Sequence, residues 1–280
     1  MKLKINQPIV EVEWLQNNFT AENLIILDAT IKKVTTKNKM IDQKKQIVNA
    51  VFFDLKNVFL KKEAKYPNTL PSEENFEKEV RKLGINNNSC IVVYDDIGMY
   101  SSPRVWWLFK TFGFNNITVL NGGLPAWKKA GLITEKPKER EFFIGDFQAN
   151  FQPDKVSYTE EVIEASVNNK KFILDARSKG RFEANEPEPR ADLRGGHIPT
   201  SYSLPYTEVQ KNSKMKSKDE LKVLFAKKNN NDFPIIFTCG SGITACILAL
   251  AADIAEIKNY TIYDGSWTEW ASRLELPIEK

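Results

Sequence analysis

The sequence predicts an α/β fold made of two tandem copies of one domain, each a mostly parallel sheet flanked by helices on both faces. The first observation is an internal repeat, because Leu-Asp-Ala at 27–29 returns at 174–176, about 145 residues later. The second is that apolar, strand-like runs alternate with helical segments, as parallel sheets covered by helices require. The third is length: 280 residues suit two domains that each bury their own core.

Two further pairs of segments extend the repeat along the chain. The apolar strand at 91–94 returns at 235–238, and the turn Asn-Gly-Gly at 121–123 returns as Asp-Gly-Ser at 264–266. In each copy the apolar strand is followed by a loop, a helix, another short strand and a closing Gly-Trp element. The same order of elements is therefore expected twice.

The boundary between the copies is predicted from a change in composition. The run at 134–140 is charged, contains proline and shows little apolar periodicity, which is typical of a surface linker. The pattern of the repeat restarts at Val156, so the boundary falls in this run or shortly after it. We therefore assign residues 1–140 to the first domain, 141–155 to the linker and 156–280 to the second domain.

The most informative segment of the second copy is the loop that begins at Cys239. A short buried strand precedes this cysteine and an alanine-rich helix follows from Ala245, so Cys239 falls at the carboxyl end of the strand. Gly240 and Gly242 allow successive backbone amides to point inward around the sulfur. Those amides and the amino end of the helix favour a negatively charged sulfur, which predicts a nucleophile rather than a core residue.

The residues around Cys239 exclude several other cysteine chemistries. A tyrosine-type phosphatase needs an arginine at the position of Ala245 to hold the phosphate. A cysteine protease needs a histidine base, and the one histidine, His197, lies in a tight turn where a hydrogen-bonding role is the usual case. Three cysteines and one histidine have no metal-ligand spacing, so we expect no metal and no cofactor.

The loop Cys-Gly-Ser-Gly-Ile-Thr at 239–244 resembles the active-site loop of the two-domain rhodanese-like sulfurtransferases. The segments at 101–107 and 120–127 resemble the signatures of that family in its first half. The resemblance covers nearly the whole chain. It implies two rhodanese-like domains and a Cys239 persulfide that carries sulfane sulfur from a donor to an acceptor.

The two residues after the cysteine bear on the choice of donor. Members of the family that use thiosulfate carry arginine and lysine there, whereas this chain has Gly240 and Ser241. Thiosulfate is a compact dianion that benefits from adjacent cations, and 3-mercaptopyruvate offers one carboxylate some distance from its sulfur. We therefore expect a 3-mercaptopyruvate sulfurtransferase that releases pyruvate. The alternatives are a thiosulfate sulfurtransferase and a non-enzymatic sulfur carrier.

Arginines near position 185 supply the expected donor-binding cations. The stretch at 180–190 resembles the family's donor-binding segment, and the matching positions are Arg181 and Arg190. A guanidinium fork suits a carboxylate next to a ketone, because two parallel hydrogen bonds fix its orientation. In the alternative interpretation these arginines pair only with nearby acids, namely Glu183, Glu186 and Glu188.

Other residues of the loop are expected to take part in the reaction, and the resemblance adds one residue of the first domain. Ser241 and Thr244 are expected to assist Cys239 through their hydroxyls. Their proposed acidic helper from the first domain is Asp54. The remaining loop residues are expected to contact the donor; they are Gly240, Gly242 and Ile243.

Asp95 takes the place of the cysteine in the first copy. A carboxylate cannot accept sulfane sulfur, so the first domain is expected to be catalytically inactive.

Composition limits the partners. A net charge of +4 is mild, and no basic stripe with interleaved aromatic residues indicates nucleic-acid binding. No transmembrane run and no signal sequence is recognised, and an odd number of cysteines favours a reducing cytoplasm. The expected acceptor is cyanide or a thiol, with thioredoxin among the candidates.

Overall fold

A computed structural model describes residues 2–31, 45–138, 140–168, 170–229 and 233–280. The chain forms two compact units. Unit 1 comprises Met1–Lys62, Leu70–Gln152 and Asn212–Lys214. Unit 2 comprises Glu63–Thr69, Pro153–Lys211 and Met215–Lys280. No helix in these described ranges is both long and apolar enough to cross a lipid bilayer.

Unit 1 is built on a five-stranded parallel sheet. The strands of this part of the chain are β1 (Ile9–Val10), β2 (Leu24–Asp28), β3 (Gln46–Ile47), β4 (Val51–Phe52), β5 (Cys90–Tyr94), β6 (Ile117–Leu120) and β7 (Thr134–Glu135). The helices are α1 (Val12–Asn17), α2 (Glu73–Lys82), α3 (Ser102–Thr111) and α4 (Gly123–Lys129). The sheet order is β1-β6-β5-β2-β4, while β3 and β7 form a separate antiparallel pair.

Unit 2 repeats the same parallel arrangement. The strands of the second half are β8 (Val156–Ser157), β9 (Phe172–Asp175), β10 (Tyr202–Ser203), β11 (Gln210–Lys211), β12 (Lys214–Met215), β13 (Ile235–Thr238) and β14 (Tyr260–Tyr263). The helices are α5 (Thr159–Asn168), α6 (Lys179–Phe182), α7 (Lys218–Lys228), α8 (Ala245–Ile254) and α9 (Ser266–Ser272). Single 3-10 turns cover Pro153–Lys155 and Tyr206–Val209. The main sheet order is β10-β9-β13-β14-β8.

The two sheets correspond strand for strand, and the prediction of two parallel-sheet copies is confirmed. In unit 1, β5 lies between β6 and β2; in unit 2, β13 lies between β14 and β9. All the pairings within both sheets are parallel. Because the carboxyl ends of parallel strands share one edge, the loops after β5 and β13 occupy equivalent places.

Burial explains why the central elements form where they do. Every residue of β5 and every residue of β13 is buried, as expected for strands covered by helices on both faces. The helix α8 is buried from Ala245 to Ala252, because its small side chains allow close packing against the sheet. These buried elements hold the start of the 239–244 loop in place.

Residues 141–152 belong to unit 1, so the structural boundary at 152/153 falls inside the predicted 141–155 linker. Phe147 is fully buried among the rings of Phe76, Phe109 and Phe114. Its backbone carbonyl accepts a hydrogen bond from Arg81 Nε at 2.7 Å. The phenylalanines at 142–151 predict that this segment packs against a domain, and Phe147 does so. The predicted domain limits stay a prediction.

Candidate active site

Cys239 lies at the carboxyl end of β13, the central strand of the unit 2 sheet. The residue is 1% exposed, whereas Gly240, Ser241 and Thr244 of the same loop are partly exposed. The loop thus encloses the sulfur and leaves its own rim open to solvent. A small donor would reach the sulfur over that rim.

The backbone of the loop donates directly to the sulfur. The amide of Gly242 lies 3.1 Å from Cys239 Sγ, within hydrogen-bonding distance. Gly242 has a φ of +77°, a left-handed conformation in which a side chain would be strained. The glycine is therefore what allows this amide to turn toward the sulfur, and such a donor stabilises a thiolate.

Gly240 plays a different part from the one expected, because its φ is not positive. A Cβ atom at position 240 would lie 2.9 Å from Nη2 of Arg181. The missing side chain therefore leaves room for a guanidinium beside the loop. The expectation that both glycines bend the backbone into unusual conformations holds for Gly242 alone.

The first turn of α9 holds the carbonyls of the loop. Trp267 N donates to the carbonyl of Cys239 at 2.9 Å. Thr268 donates twice to the carbonyl of Gly240, from its amide at 3.0 Å and from Oγ1 at 2.5 Å. The repeat had marked this turn through the motif at 264–266, but its contacts with the loop were missed because they join residues about 28 positions apart.

Ser266 was also missed, although its hydroxyl lies 3.9 Å from Cys239 Sγ. The hydroxyl proton is donated to the carbonyl of Tyr263 at 2.9 Å. In that orientation Ser266 offers only lone pairs toward the sulfur. The hydrogen-bond support for a thiolate therefore comes from the Gly242 amide.

Ser241 is held by an amide side chain distant in sequence but within the same unit. Nδ2 of Asn68 donates to Ser241 Oγ at 3.0 Å and to the Ser241 carbonyl at 2.8 Å. Asn68 is buried and adopts a φ of +61°, which asparagine tolerates better than most residues. Because the serine oxygen accepts from Asn68, its own proton can be donated to a bound molecule.

Ile243 and Thr244 are the last two residues of the loop. The hydroxyl of Thr244 does not form the expected contact with Cys239. Thr244 is the residue before α8, and its side chain does not cap the helix. Among the described residues no hydrogen bond joins Thr244 Oγ1 to Cys239. Ile243 is buried, and its carbonyl accepts from the amide of Cys246 at 3.2 Å. Its expected contact with the donor stays a prediction.

Arg181 lies beside the loop and forms an ion pair. Nη2 of Arg181 contacts Glu188 Oε2 at 2.5 Å, and Nε contacts Oε1 at 3.3 Å. The carboxylate of Glu188 is only 3% exposed, and Arg181 retains 17% exposure. The alternative in which Arg181 pairs with a neighbouring acid is therefore realised through Glu188. This pairing orients the guanidinium without removing it from the loop.

Arg177, which the sequence interpretation missed, lies behind that ion pair. It contacts Glu188 Oε1 at 2.8 Å and Asp175 Oδ2 at 2.7 Å, and it donates to the carbonyl of Gly196. The guanidinium also stacks over the ring of Trp267 at 4.3 Å. Burial alone would lower the pKa of Arg177, but the two carboxylates outweigh burial and raise it.

Arg190 is placed differently from Arg181. Its Nη1 contacts Thr268 Oγ1 at 3.3 Å, and in the part of the chain that the structure describes it forms no ion pair. Thr268 in turn donates to Gly240, so Arg190 is also linked to the cysteine loop. Unit 2 thus brings both predicted arginines to position 240 of the loop.

The loop after β5 holds a carboxylate where unit 2 holds the sulfur. Both oxygens of Asp95 accept backbone hydrogen bonds, and Oδ2 also accepts from a serine hydroxyl. The donors are Ile97, Gly98, Tyr100, Ser101 and Ser102. In each unit, backbone amides of the loop therefore donate to the side chain at this position. That unit 1 is catalytically inactive stays a prediction.

Asp54, the predicted acidic helper, belongs to unit 1 and holds a turn there. Its Oδ1 accepts from the amides of Lys56 and Asn57 at 3.1 and 3.0 Å. Both oxygens also accept from the side chain of Asn57. Its partnership with Cys239 stays a prediction.

The other titratable candidates have packing roles. His197 stacks on Phe182 with ring centroids 3.8 Å apart, and its Nδ1 lies 2.9 Å from the carbonyl of Phe182. Burial raises the pKa of Cys90 to about 11, which keeps that thiol neutral near pH 7. Cys246 is buried in α8 and its thiol donates to the carbonyl of Gly242. All three side chains are buried, which fits a packing role.

Comparisons with known proteins find relatives of both halves of the chain. A family model described as a rhodanese-like domain matches residues 11–130 and 159–273. The chain is 36% identical to the 3-mercaptopyruvate sulfurtransferase of Escherichia coli (strain K12), over 96% of this chain and 97% of the relative. It is also 36% identical to the thiosulfate sulfurtransferase of Bos taurus, over 95% of this chain and 92% of the relative. The crystal structure of SseA from Escherichia coli superposes with a TM-score of 0.83 at 34% identity, covering 93% of this chain and 99% of SseA.

Proposed function

The chain belongs to the rhodanese-like family, and we propose that it is a sulfurtransferase that moves sulfane sulfur from 3-mercaptopyruvate to a thiol or cyanide acceptor. The observation that carries the proposal is a cysteine loop with no cation of its own at 240 and 241, flanked by Arg181 and Arg190. This arrangement suits a donor whose single carboxylate lies away from the sulfur it gives up.

The first step forms a persulfide on Cys239. The thiolate attacks the sulfur of 3-mercaptopyruvate, a sulfur–sulfur bond forms, and the carbon–sulfur bond breaks with its electron pair on the pyruvate enolate. The proton of the donor thiol is transferred to the enolate carbon, leaving pyruvate and an anionic persulfide. Amides of the loop, including that of Gly242, stabilise this anion.

The hydroxyl of Ser241 assists the departure of the enolate. Asn68 donates to the serine oxygen, so the hydroxyl proton remains available for the enolate oxygen. Thr244 is proposed as a helper because its hydroxyl belongs to the loop, and Asp54 is proposed on the ground of family likeness. Ile243 is proposed to line the donor path. Arg181 and Arg190 bind the keto-carboxylate and hold the donor sulfur near Cys239.

The second step returns the enzyme to its starting state. An acceptor such as cyanide or a thiol attacks the outer sulfur, forms a bond to it and displaces the Cys239 thiolate. Thioredoxin is a candidate because it presents a reactive thiol. No disulfide joins the described cysteines, which fits the proposed reducing, cytoplasmic location.

Mass spectrometry tests the proposal directly. After the purified protein is mixed with 3-mercaptopyruvate and no acceptor, we expect a gain of about 32 mass units on the peptide that contains Cys239. Adding cyanide should remove the added mass and release thiocyanate. An unmodified Cys239 under conditions that release pyruvate would contradict the mechanism.

Thiosulfate is the second candidate donor because the bovine relative is a thiosulfate sulfurtransferase at 36% identity. Relative kcat/KM values on the two donors, with cyanide as the common acceptor, separate the two activities. A chain that accepts persulfide sulfur from another protein but turns over neither small donor would instead be a sulfur carrier.

Replacing Arg190 should weaken donor binding. In Arg190→Met we expect the KM for 3-mercaptopyruvate to rise about 30-fold, because a charge-assisted hydrogen bond to the carboxylate is lost. We expect kcat to change less, since the proposed contact of Arg190 is with the carboxylate and not with the bond that breaks. Steady-state pyruvate release measures both constants.

Lys179→Met is the matched control for that variant. Lys179 is exposed and pairs with Glu183, so its loss removes a nearby positive charge without touching the loop. Equal KM changes in the two variants would show that general charge, not contact with Arg190, governs donor binding.

A further inference from the structure

Glu188 is a buried carboxylate shared by two guanidiniums, and we propose that it makes this site selective for monoanionic donors. The inference rests on the proposed function. Oε1 of Glu188 accepts from Arg177 at 2.8 Å, and Oε2 accepts from Arg181 at 2.5 Å. With 3% exposure, this carboxylate is screened little by solvent.

The charged side chains beside the loop sum to one net positive charge. Arg177 and Arg181 are matched by the carboxylates of Asp175 and Glu188, which they contact directly. Arg190 has a neutral partner, the hydroxyl of Thr268. The net charge of this cluster therefore equals that of Arg190 alone.

One net positive charge matches a monocarboxylate better than a dianion. The carboxylate of 3-mercaptopyruvate is balanced by the cluster, whereas thiosulfate would bring a second negative charge with no partner. Gly240 and Ser241 add no cation to offset it. Because charge interactions across several ångströms are strong in a partly enclosed site, this mismatch selects against the dianion.

Glu188 is not required simply to neutralise Arg177. The carboxylate of Asp175 already neutralises this guanidinium. Nε of Arg177 donates to both carboxylate oxygens of Asp175, at 3.1 and 2.9 Å, and Nη2 contacts Oδ2. The carbonyl of Gly196 accepts from the same guanidinium at 2.8 Å. The contact that Glu188 adds toward the loop is the one with Arg181, whose Nη2 lies 2.9 Å from where a Cβ of residue 240 would be.

The test compares the two donors in charge variants of this ion pair. In Glu188→Gln we expect the ratio of kcat/KM for thiosulfate to kcat/KM for 3-mercaptopyruvate to rise about tenfold, since Arg181 is no longer neutralised. In Arg181→Met/Glu188→Gln we expect the ratio to be higher than in Arg181→Met, because both variants lack the Arg181 contact and differ only in the negative charge of Glu188. A purely steric role of Glu188 would not make its neutralisation favour the dianion in both backgrounds.

Glu186→Gln is the control, because Glu186 is exposed, accepts from Ser178 Oγ and lies two residues away. Its ratio should equal that of the unmodified chain. An unchanged ratio in folded Glu188→Gln would overturn the inference. Should that variant not fold, as judged by circular dichroism, the double variant decides: a ratio above that of Arg181→Met supports the inference and an unchanged or lower one overturns it. Failure of the proposed function is distinct, since the unmodified chain would then turn over neither donor.

Discussion

Replacement of Cys239 by serine should reduce pyruvate release from 3-mercaptopyruvate by at least about 10⁴-fold. The serine hydroxyl is not ionised near neutral pH, and an oxygen at this position cannot form the persulfide that carries the sulfur. The Gly242 amide and the arginines would remain in place, so donor binding should survive. A coupled assay of pyruvate measures the loss, and isothermal titration with pyruvate measures the retained binding.

Cys90→Ala is the matched control for that substitution. Cys90 begins β5 in unit 1, is fully buried and has a pKa raised to about 11 by burial, so it has no part in the reaction. The alanine variant should keep the activity of the unmodified chain within about twofold, although the small cavity costs some stability. Pyruvate release that persists in Cys239→Ser would refute the persulfide mechanism.

The repeat in the sequence was sufficient to predict the architecture. Segments 91–94 and 235–238 became β5 and β13, the central strands of two parallel sheets with equivalent neighbours. Periodicity and apolar content determine such strands locally, and parallel pairing follows from their alternation with helices. The same repeat placed Asp95 and Cys239 at equivalent positions. In the structure, backbone amides donate to both side chains, five to Asp95 and that of Gly242 to Cys239.

The polar contacts around the sulfur were less predictable. Asn68 reaches Ser241 across 173 residues of sequence, and no periodic pattern marks an isolated asparagine for that position. Arg177 and Glu188 resemble ordinary surface charges until the fold buries them together. Sequence spacing identifies residues that share an element, whereas partners from different elements are set by tertiary packing. The choice among possible acid partners for Arg181 therefore needed the structure.

Replacement of Asp95 by asparagine should destabilise unit 1 on the order of 4 kcal/mol, because one end of the side chain would become a donor facing backbone amides. Both carboxylate oxygens of Asp95 accept hydrogen bonds, from six donor atoms in total. An amide group offers one oxygen, so at least two buried N–H groups would be left unpaired. Urea unfolding followed by circular dichroism should show a lower midpoint.

The neighbouring substitution Asp96→Asn makes the same change of charge. At pH 8 it should raise the stability of unit 1, whereas Asp95→Asn lowers it. Burial, followed by the charges of Asp95 and Asp28, raises the pKa of Asp96 from 3.8 to about 6. Because the folded pKa lies above the unfolded one, the stability due to protonated Asp96 is full below pH 3.8 and is lost as the pH rises to 6. Asparagine stays neutral, so above pH 6 it should stabilise the unit. The gain should be less than about 1 kcal/mol, because Asp96 is only partly enclosed and the solvent that reaches its exposed surface screens the charge.

The pH dependence separates the two aspartates. The gain from Asp96→Asn should shrink as the pH falls from 6 toward 4, where the carboxyl is protonated in the folded chain as well. The loss from Asp95→Asn should persist at pH 6 and 8, because it comes from backbone amides that are left unpaired. Equal unfolding midpoints for the two variants at pH 8 would mean that the loop after β5 does not depend on a carboxylate. The equivalence of that loop with the cysteine loop would then lose its physical basis.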